Sequence, residues 1–346
     1  MMTPRERVLA AINFRKPDRI PLAFYVCEDN LARHGQAVLD LLRRYPSSDF
    51  GDPPTTVPQA DPQYVKDGVY HKAYTDEWGC TWDEHLFGHV GQIIRHPLAD
   101  WAAYKDYAFP PVPPTDPNHP ELLCERAKTE EQKKRRYVKK LFVRTFEQMH
   151  FVRGFARVCE DLALGRPELA DLADRVTEWN RAWVRWAVAA GADGVTHSDD
   201  WGTQNAMIIS PKLWREFFKP RYAREFEPAR EAGVDIWFHS DGVILPILED
   251  MAELGVKVVN PQFSCHDLKT LAASTRKAGL AVATDLDRQF IMPHGTPQQV
   301  REYVREIIET FDGRSGGLIG QCEVRGPIPL ANIEAALAAF QEFGTN

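Results

Sequence analysis

Several things are scarce in this sequence. No apolar run is long enough to span a bilayer, and the N-terminus has no apolar leader core. There is no G-x-G-x-x-G and no P-loop, which argues against dinucleotide or nucleotide chemistry. The six cysteines (27, 80, 124, 159, 265 and 322) show no CxxC spacing. No disulfide framework is suggested, so a reducing compartment and a cytoplasmic protein are expected. Positive charge is not in surplus. The 346 residues carry a net charge of -7 and a pI near 5.9, which argues against nucleic acid or an anionic membrane as partner. The basic run from Lys133 to Lys140 reads as a solvated surface, with a docking patch for an acidic partner as the other reading. No internal repeat is visible.

What is present is ample core material, 44% hydrophobic against 26% charged. That fits one large α/β barrel or two ordinary domains. Thr3, Pro4 and Glu6 predict a capped helix running to about Asn13. A first strand is expected over Ile20 to Val26, then a helix from about Leu31 to Arg44. Residues 46–120 are irregular and rich in proline and aromatics, with short strands near Thr81 and Ile93. A segment this long is expected to carry function or a subdomain. From about Lys140 short apolar strands alternate with helices, and each strand ends in polar residues. About eight strand–helix units predict an α/β fold, a (β/α)8 TIM barrel with an N-terminal helical extension. The whole chain, 1–346, reads as one barrel domain, with 46–120 as an insertion near the mouth.

Val234 to Phe238 reads as a buried parallel strand ending in His239, Ser240, Asp241 and Gly242. His239 and Asp241 are two apart, so on an extended chain they point to the same side. Other strand ends offer His197, Asp199 and Asp200, then Asp285 and Asp287, then Cys322 and Glu323. In a barrel these converge at the C-terminal mouth. His239, Asp241 and Cys322 have the donor types of a zinc site; the alternative is a polar mouth with Cys322 buried as a small apolar residue. Asp199 and Asp200 are the candidate acid/base pair, or else one caps a turn while the other binds backbone amides. Trp78, Trp201 and Trp237 either wall an apolar pocket or belong to the core. His197, Gln204 and Asp285 join Trp78 and Trp201 as candidate substrate contacts.

Five separated stretches then occur in an order that resembles the uroporphyrinogen decarboxylase superfamily, particularly its methyltransferase-like members. They are Thr3 to Pro21, Asp76 to Gly79, Asp199 to Gly202 with Ile209 to Phe217, His239 to Gly242, and Gly320 to Glu323 with Pro327 to Asn332. The resemblance spans essentially the whole chain and implies a (β/α)8 barrel with one deep cleft. The arginine-bearing R-Q-A-G-R-Y type of motif found in true decarboxylases is replaced by Phe24 to Asp29, which holds two acids and no arginine. Like charges there argue against a polycarboxylate substrate. Zinc methyltransferases of the superfamily use a His-x-Cys pair and a later Cys. His239 and Cys322 match the outer two, and Asp241 stands where the middle Cys belongs. The implied function is zinc-dependent methyl transfer between a small substrate and a corrinoid (cobalamin) cofactor delivered by a partner protein, with a homodimer also implied. A cofactor-free decarboxylase or lyase, uroporphyrinogen decarboxylase included, is the first alternative. A non-catalytic tetrapyrrole- or corrinoid-binding protein is the second.

Overall fold

The computed structural model describes residues 2–345. Seven parallel strands form one curled sheet: β1 (Leu22–Val26), β2 (Lys139–Val143), β3 (Gly194–Ser198), β4 (Asp235–Ser240), β5 (Val256–Pro261), β6 (Ala281–Ala283) and β7 (Leu318–Val324). Their spatial order is β1-β7-β6-β5-β4-β3-β2. The eighth stave is not a strand. Segment 47–49 fills the gap between β1 and β2: Phe24 N–H donates to Ser47 O, Asp49 N–H to Leu22 O, and Tyr137 N–H to Asp49 O. The barrel class expected from the βα rhythm is the one found, with this irregular piece in place of one strand.

Helices pack on the outside, among them α1 (Pro4–Ile12), α2 (Phe146–Arg153), α3 (Pro167–Ala189), α4 (Lys219–Ala232), α5 (Leu268–Ala278), α6 (Pro297–Thr310) and α7 (Leu330–Phe343). Helix α1 starts with the capping box its sequence predicts, Thr3 and Glu6 bonding reciprocally. It lies at the N-terminal ends of the strands, where Gly317 N–H donates to Ala11 O and Arg5 pairs with Asp193 at 2.8 Å. Val8 and Ile12 join Trp237, Val258, Ala281 and Ile319 in a small core inside the barrel, separate from the larger core between strands and helices. One end of the barrel is therefore plugged and the other is free for chemistry.

Two helices predicted as continuous are broken. The one over 31–44 splits at Gly35, whose φ of 56° suits glycine, into Glu28–His34 and Gln36–Arg44. A single helix is also predicted over Pro211 to Ala232, leading into the central strand, and it breaks at Phe218, ahead of Pro220 in the first turn of α4. The 46–120 insertion carries an antiparallel sheet of Lys72–Thr75, Thr81–Glu84 and Gln92–Arg95. The basic run does not form a shared surface. It crosses from a helix end into β2, so Lys133, Lys134, Arg136 and Lys140 each find a separate acid and Lys139 points into the barrel. Among the described residues no helix is long and apolar enough to cross a membrane.

The joint beside segment 47–49 is held by charge. Asp49 is fully buried and accepts from Arg7, Arg19 and the Leu22 N–H. Removing it takes the buried carboxylate from two guanidinium groups, leaving Arg7 with Asp18 and Arg19 with the Ile20 carbonyl, and leaves the Leu22 N–H unmet. Asp49→Ala is expected to lower stability by about 3–5 kcal/mol in urea denaturation; a loss under about 1 kcal/mol would refute this account of the joint.

Candidate active site

A cavity of about 990 Å³ opens at the C-terminal ends of the strands. Which side chains reach it follows from the two-residue period of a strand. On β3 and just beyond, Thr196, Ser198 and Asp200 line the cavity, and on β4 Trp237, His239 and Asp241 do. Asn260 follows β5's inner face, Asp285 stands just past β6, and Gln321 and Glu323 come from β7. Of the intervening residues, His197, Asp199, Ser240 and Cys322 do not line the cavity.

That parity divides the predicted site residues. His239, Asp241, Asp200 and Asp285 meet in the cavity. Cys322 does not: it lies between Gln321 and Glu323 on β7, is fully buried on the helix side, and is paired in register with Phe24, whose ring packs on Phe340. Burial also pushes its thiol far above the usual range. Cys322 is therefore removed from the metal set. His197 and Asp199, at the odd positions of β3, point away from the cavity too. Asp199 is fully buried and caps α2, accepting from the N–H groups of Thr145, Phe146 and Glu147 and from Tyr222 Oη at 2.6 Å. His197 is clamped between Asp199 (Nε2–O 2.8 Å) and Glu225 (Nδ1–O 2.6 Å). Burial disfavours its charge, but Glu225 and Asp199 outweigh that and push its pKa up to about 10. Both residues belong to a buried ionic joint between α2, β3 and α4 and do not line the cavity. Trp201 is fully buried and stacked on Phe146. Trp78 packs on Phe109 and Trp179 in the insertion. Gln204 is exposed and meets Cys265 outside the cavity. Of the three tryptophans only Trp237 reaches the cavity.

His239 is fixed by a chain of hydrogen bonds. Asn260 Nδ2 donates to the carbonyls of Ala283 and Thr284, so its Oδ1 must face His239 Nδ1, 2.7 Å away. Nδ1 therefore carries the proton, and Nε2 is left pointing at Asp200 Oδ1 (3.7 Å) and Asp241 Oδ1 (3.6 Å). These gaps are too long for hydrogen bonds but close to the roughly 3.3 Å between ligand atoms around a tetrahedral zinc. The three atoms satisfy the geometry of a metal-binding group. A second-residue contact that fixes the tautomer is what a metal-ligating histidine needs. The donor set fits zinc with a harder character than a thiolate site.

Several cavity residues were not anticipated. Arg288 reaches Asp241 (2.8 Å), Asp285 (3.0 Å) and Glu323 (2.9 Å). Burial pushes the Asp285 carboxyl up to about 7, with Arg288 opposing. Glu147, at the start of α2, is pushed up to about 8 by burial and by Asp200 and Asp199, against Arg144. Asp200 is raised by burial, with His239 opposing and Asp241 adding. Lys139 lies over the rings of Trp237 and Phe50, 4.2 and 5.0 Å from their centroids. Lys139, Asn260 and Gln321 were readable from strand parity. Glu147 and Arg288 come from loop–helix segments whose direction no pattern gives.

Residues 147–343 match the uroporphyrinogen decarboxylase (URO-D) family. The chain belongs to that family. No curated protein matches it individually. Among solved structures, this URO-D family chain is similar to a methyltransferase from Methanosarcina mazei, with a TM-score of 0.66 and 17% identity over 99% of each chain. It also aligns with a B12-independent methionine synthase from a Shewanella species, with a TM-score of 0.48 and 11% identity over 95% of this chain and 94% of that one. The first shows a shared fold over the full length of the chain.

Two stability measurements check the assignment. Asp199→Ala is expected to cost about 3–5 kcal/mol in urea denaturation, and Asp200→Asn less than about 1 kcal/mol, because only the first breaks a buried pair; equal losses would refute it. For Glu147 the folded pKa is raised, so the folded state binds more protons than the unfolded one between about pH 4.5 and 8. Stability is therefore lost as pH rises through that window. Glu147→Gln is expected to match wild type in melting temperature near pH 5 and to exceed it above pH 8. A constant offset would contradict the raised pKa.

Proposed function

We propose that this URO-D family member is a zinc-dependent methyltransferase-like enzyme that moves a methyl group between a small substrate and a corrinoid. The observation that carries the reading is His239: its tautomer is set by Asn260, and its free Nε2 faces two carboxylates in the cavity. Asp200, His239 and Asp241 would hold the metal, in place of the Cys322 ligand implied by the resemblance. A zinc ion there supplies Lewis acidity, lowering the pKa of an acceptor thiol or hydroxyl or polarising a methoxy oxygen. The chain's own residues provide the rest. Arg288 holds Asp241 and Asp285 in place and offsets the negative charge gathered around them. Glu147 keeps a proton near neutral pH and faces the cavity, so it can pass that proton to or from the acceptor. Tyr25, Phe142 and Val90 line the mouth while remaining well exposed, an apolar rim suited to a flat macrocycle brought by a partner protein.

A second reading rests on Lys139. It stands in the cavity held only by aromatic faces, with no carboxylate paired to it among the described residues. It could anchor a substrate carboxylate while Glu147 supplies a proton, which is the arrangement of a cofactor-free decarboxylase or lyase.

Metal content separates the two. By elemental analysis after zinc loading, His239→Ala is expected to hold about one zinc per chain less than wild type, while Cys322→Ser holds as much as wild type. No difference between His239→Ala and wild type would sink the cavity metal. Turnover unchanged after chelation would favour the lyase.

A further inference from the structure

The insertion carries a second group of metal-ligand side chains, and the sheet register explains it. Lys72–Thr75 pairs antiparallel with Thr81–Glu84, and Lys72 stands opposite Glu84. One position further out, His71 comes opposite His85. Residues directly opposite share a face of the sheet, and so does the residue two away, Asp83. The two imidazole rings stack with centroids 4.7 Å apart and planes 3° from parallel. Both Nε2 atoms are aimed at the same carboxylate, His71 at 2.6 Å from Oδ1 and His85 at 3.0 Å from Oδ2. The ligand atoms of all three residues lie within 4.8 Å of one another.

Protons and a metal ion compete for this arrangement. With Nε2 protonated, each neutral histidine donates to its own oxygen of Asp83. With the proton shifted to Nδ1, two bare nitrogens and a carboxylate are left facing one another. Two imidazole nitrogens and one oxygen suit zinc, not calcium or magnesium, which take oxygen ligands. Zinc needs its ligands roughly 3.3 Å apart, so His71 Nε2, at 2.6 Å from Asp83 Oδ1, must back away by about 0.7 Å while the group as a whole closes around the ion. The two histidine side chains are 55% and 66% exposed, so that movement meets little resistance. Three protein ligands leave a fourth position to water.

We propose that His71, Asp83 and His85 form a zinc site of their own, distinct from the cavity. None of the three lines the cavity. The connection is mechanical: Val90, between the Thr81–Glu84 and Gln92–Arg95 strands, does line it. Zinc on this sheet ties down a wall of the cavity.

The test removes the cavity ligand first. His239→Ala protein is dialysed against zinc chloride, and bound zinc is measured across a concentration series. About one zinc per chain is expected. Adding His71→Ala or His85→Ala is expected to weaken that binding by roughly tenfold or more. Adding His266→Ala, a histidine outside both groups, should leave it unchanged. Both hairpin positions are exposed, and far-UV circular dichroism verifies that the variants fold. The proposal is overturned if His239→Ala protein binds no zinc, or if the hairpin variants bind it as tightly as their parent.

Discussion

Inside a barrel of parallel strands, every second residue faces inward except where a bulge shifts the register, as it does in β2 between Lys140 and Val143. Most of this site is a consequence. On β4 the inward series is Trp237, His239 and, one step past the strand, Asp241. On β3 it ends in Asp200, and on β7 in Gln321 and Glu323. The outward series carries the acids and the histidine that hold the scaffold. A shift of one residue in any of these strands would exchange a cavity ligand for a structural group.

The outward series is not inert. Asp199, His197 and Glu225 bring a net negative charge into the packed interface, and it is balanced by donors, not by more cations. Three backbone N–H groups and Tyr222 donate to Asp199; Thr145 and Asn180 donate to Glu225. The N-terminus of α2 is thereby held at the cavity edge, which is also where Glu147 emerges. A buried charge is tolerated only where its lone pairs are met, and here they are. The same carboxylate that fixes α2 also raises Glu147. Scaffold and cavity carboxyl are thus coupled through one atom group.

The barrel was legible because its strands are short, apolar and regularly spaced, and because each ends in polar residues. Pairing His239 with Asp241 followed from their spacing. The same spacing rule, applied to Asp199 and Asp200, would have put them on opposite faces; adjacency in sequence made them look like a pair. Cys322 fell to the same cause, since its neighbours Gln321 and Glu323 occupy the inner face. Arg288 lay beyond reach for a different reason. It stands in the segment after β6, where only the fold brings it to Asp241 and Glu323. Trp78 of the insertion and Trp201 past the end of β3 are large apolar groups that a core of this size absorbs, so bulk alone did not mark a pocket.

Six ladders join the seven strands, and the remaining gap is spanned by segment 47–49 through a few backbone bonds and the Asp49 ion pairs. A ring built this way has a seam. Hydrogen-bonded ladders open cooperatively and at high cost, whereas a short irregular strip yields locally. The seam borders the cavity through Ser47, Ser48 and Phe50. Local opening is therefore expected along this one line, while the rest of the wall, with the cavity side chains it carries on β3, β4 and β7, keeps its shape.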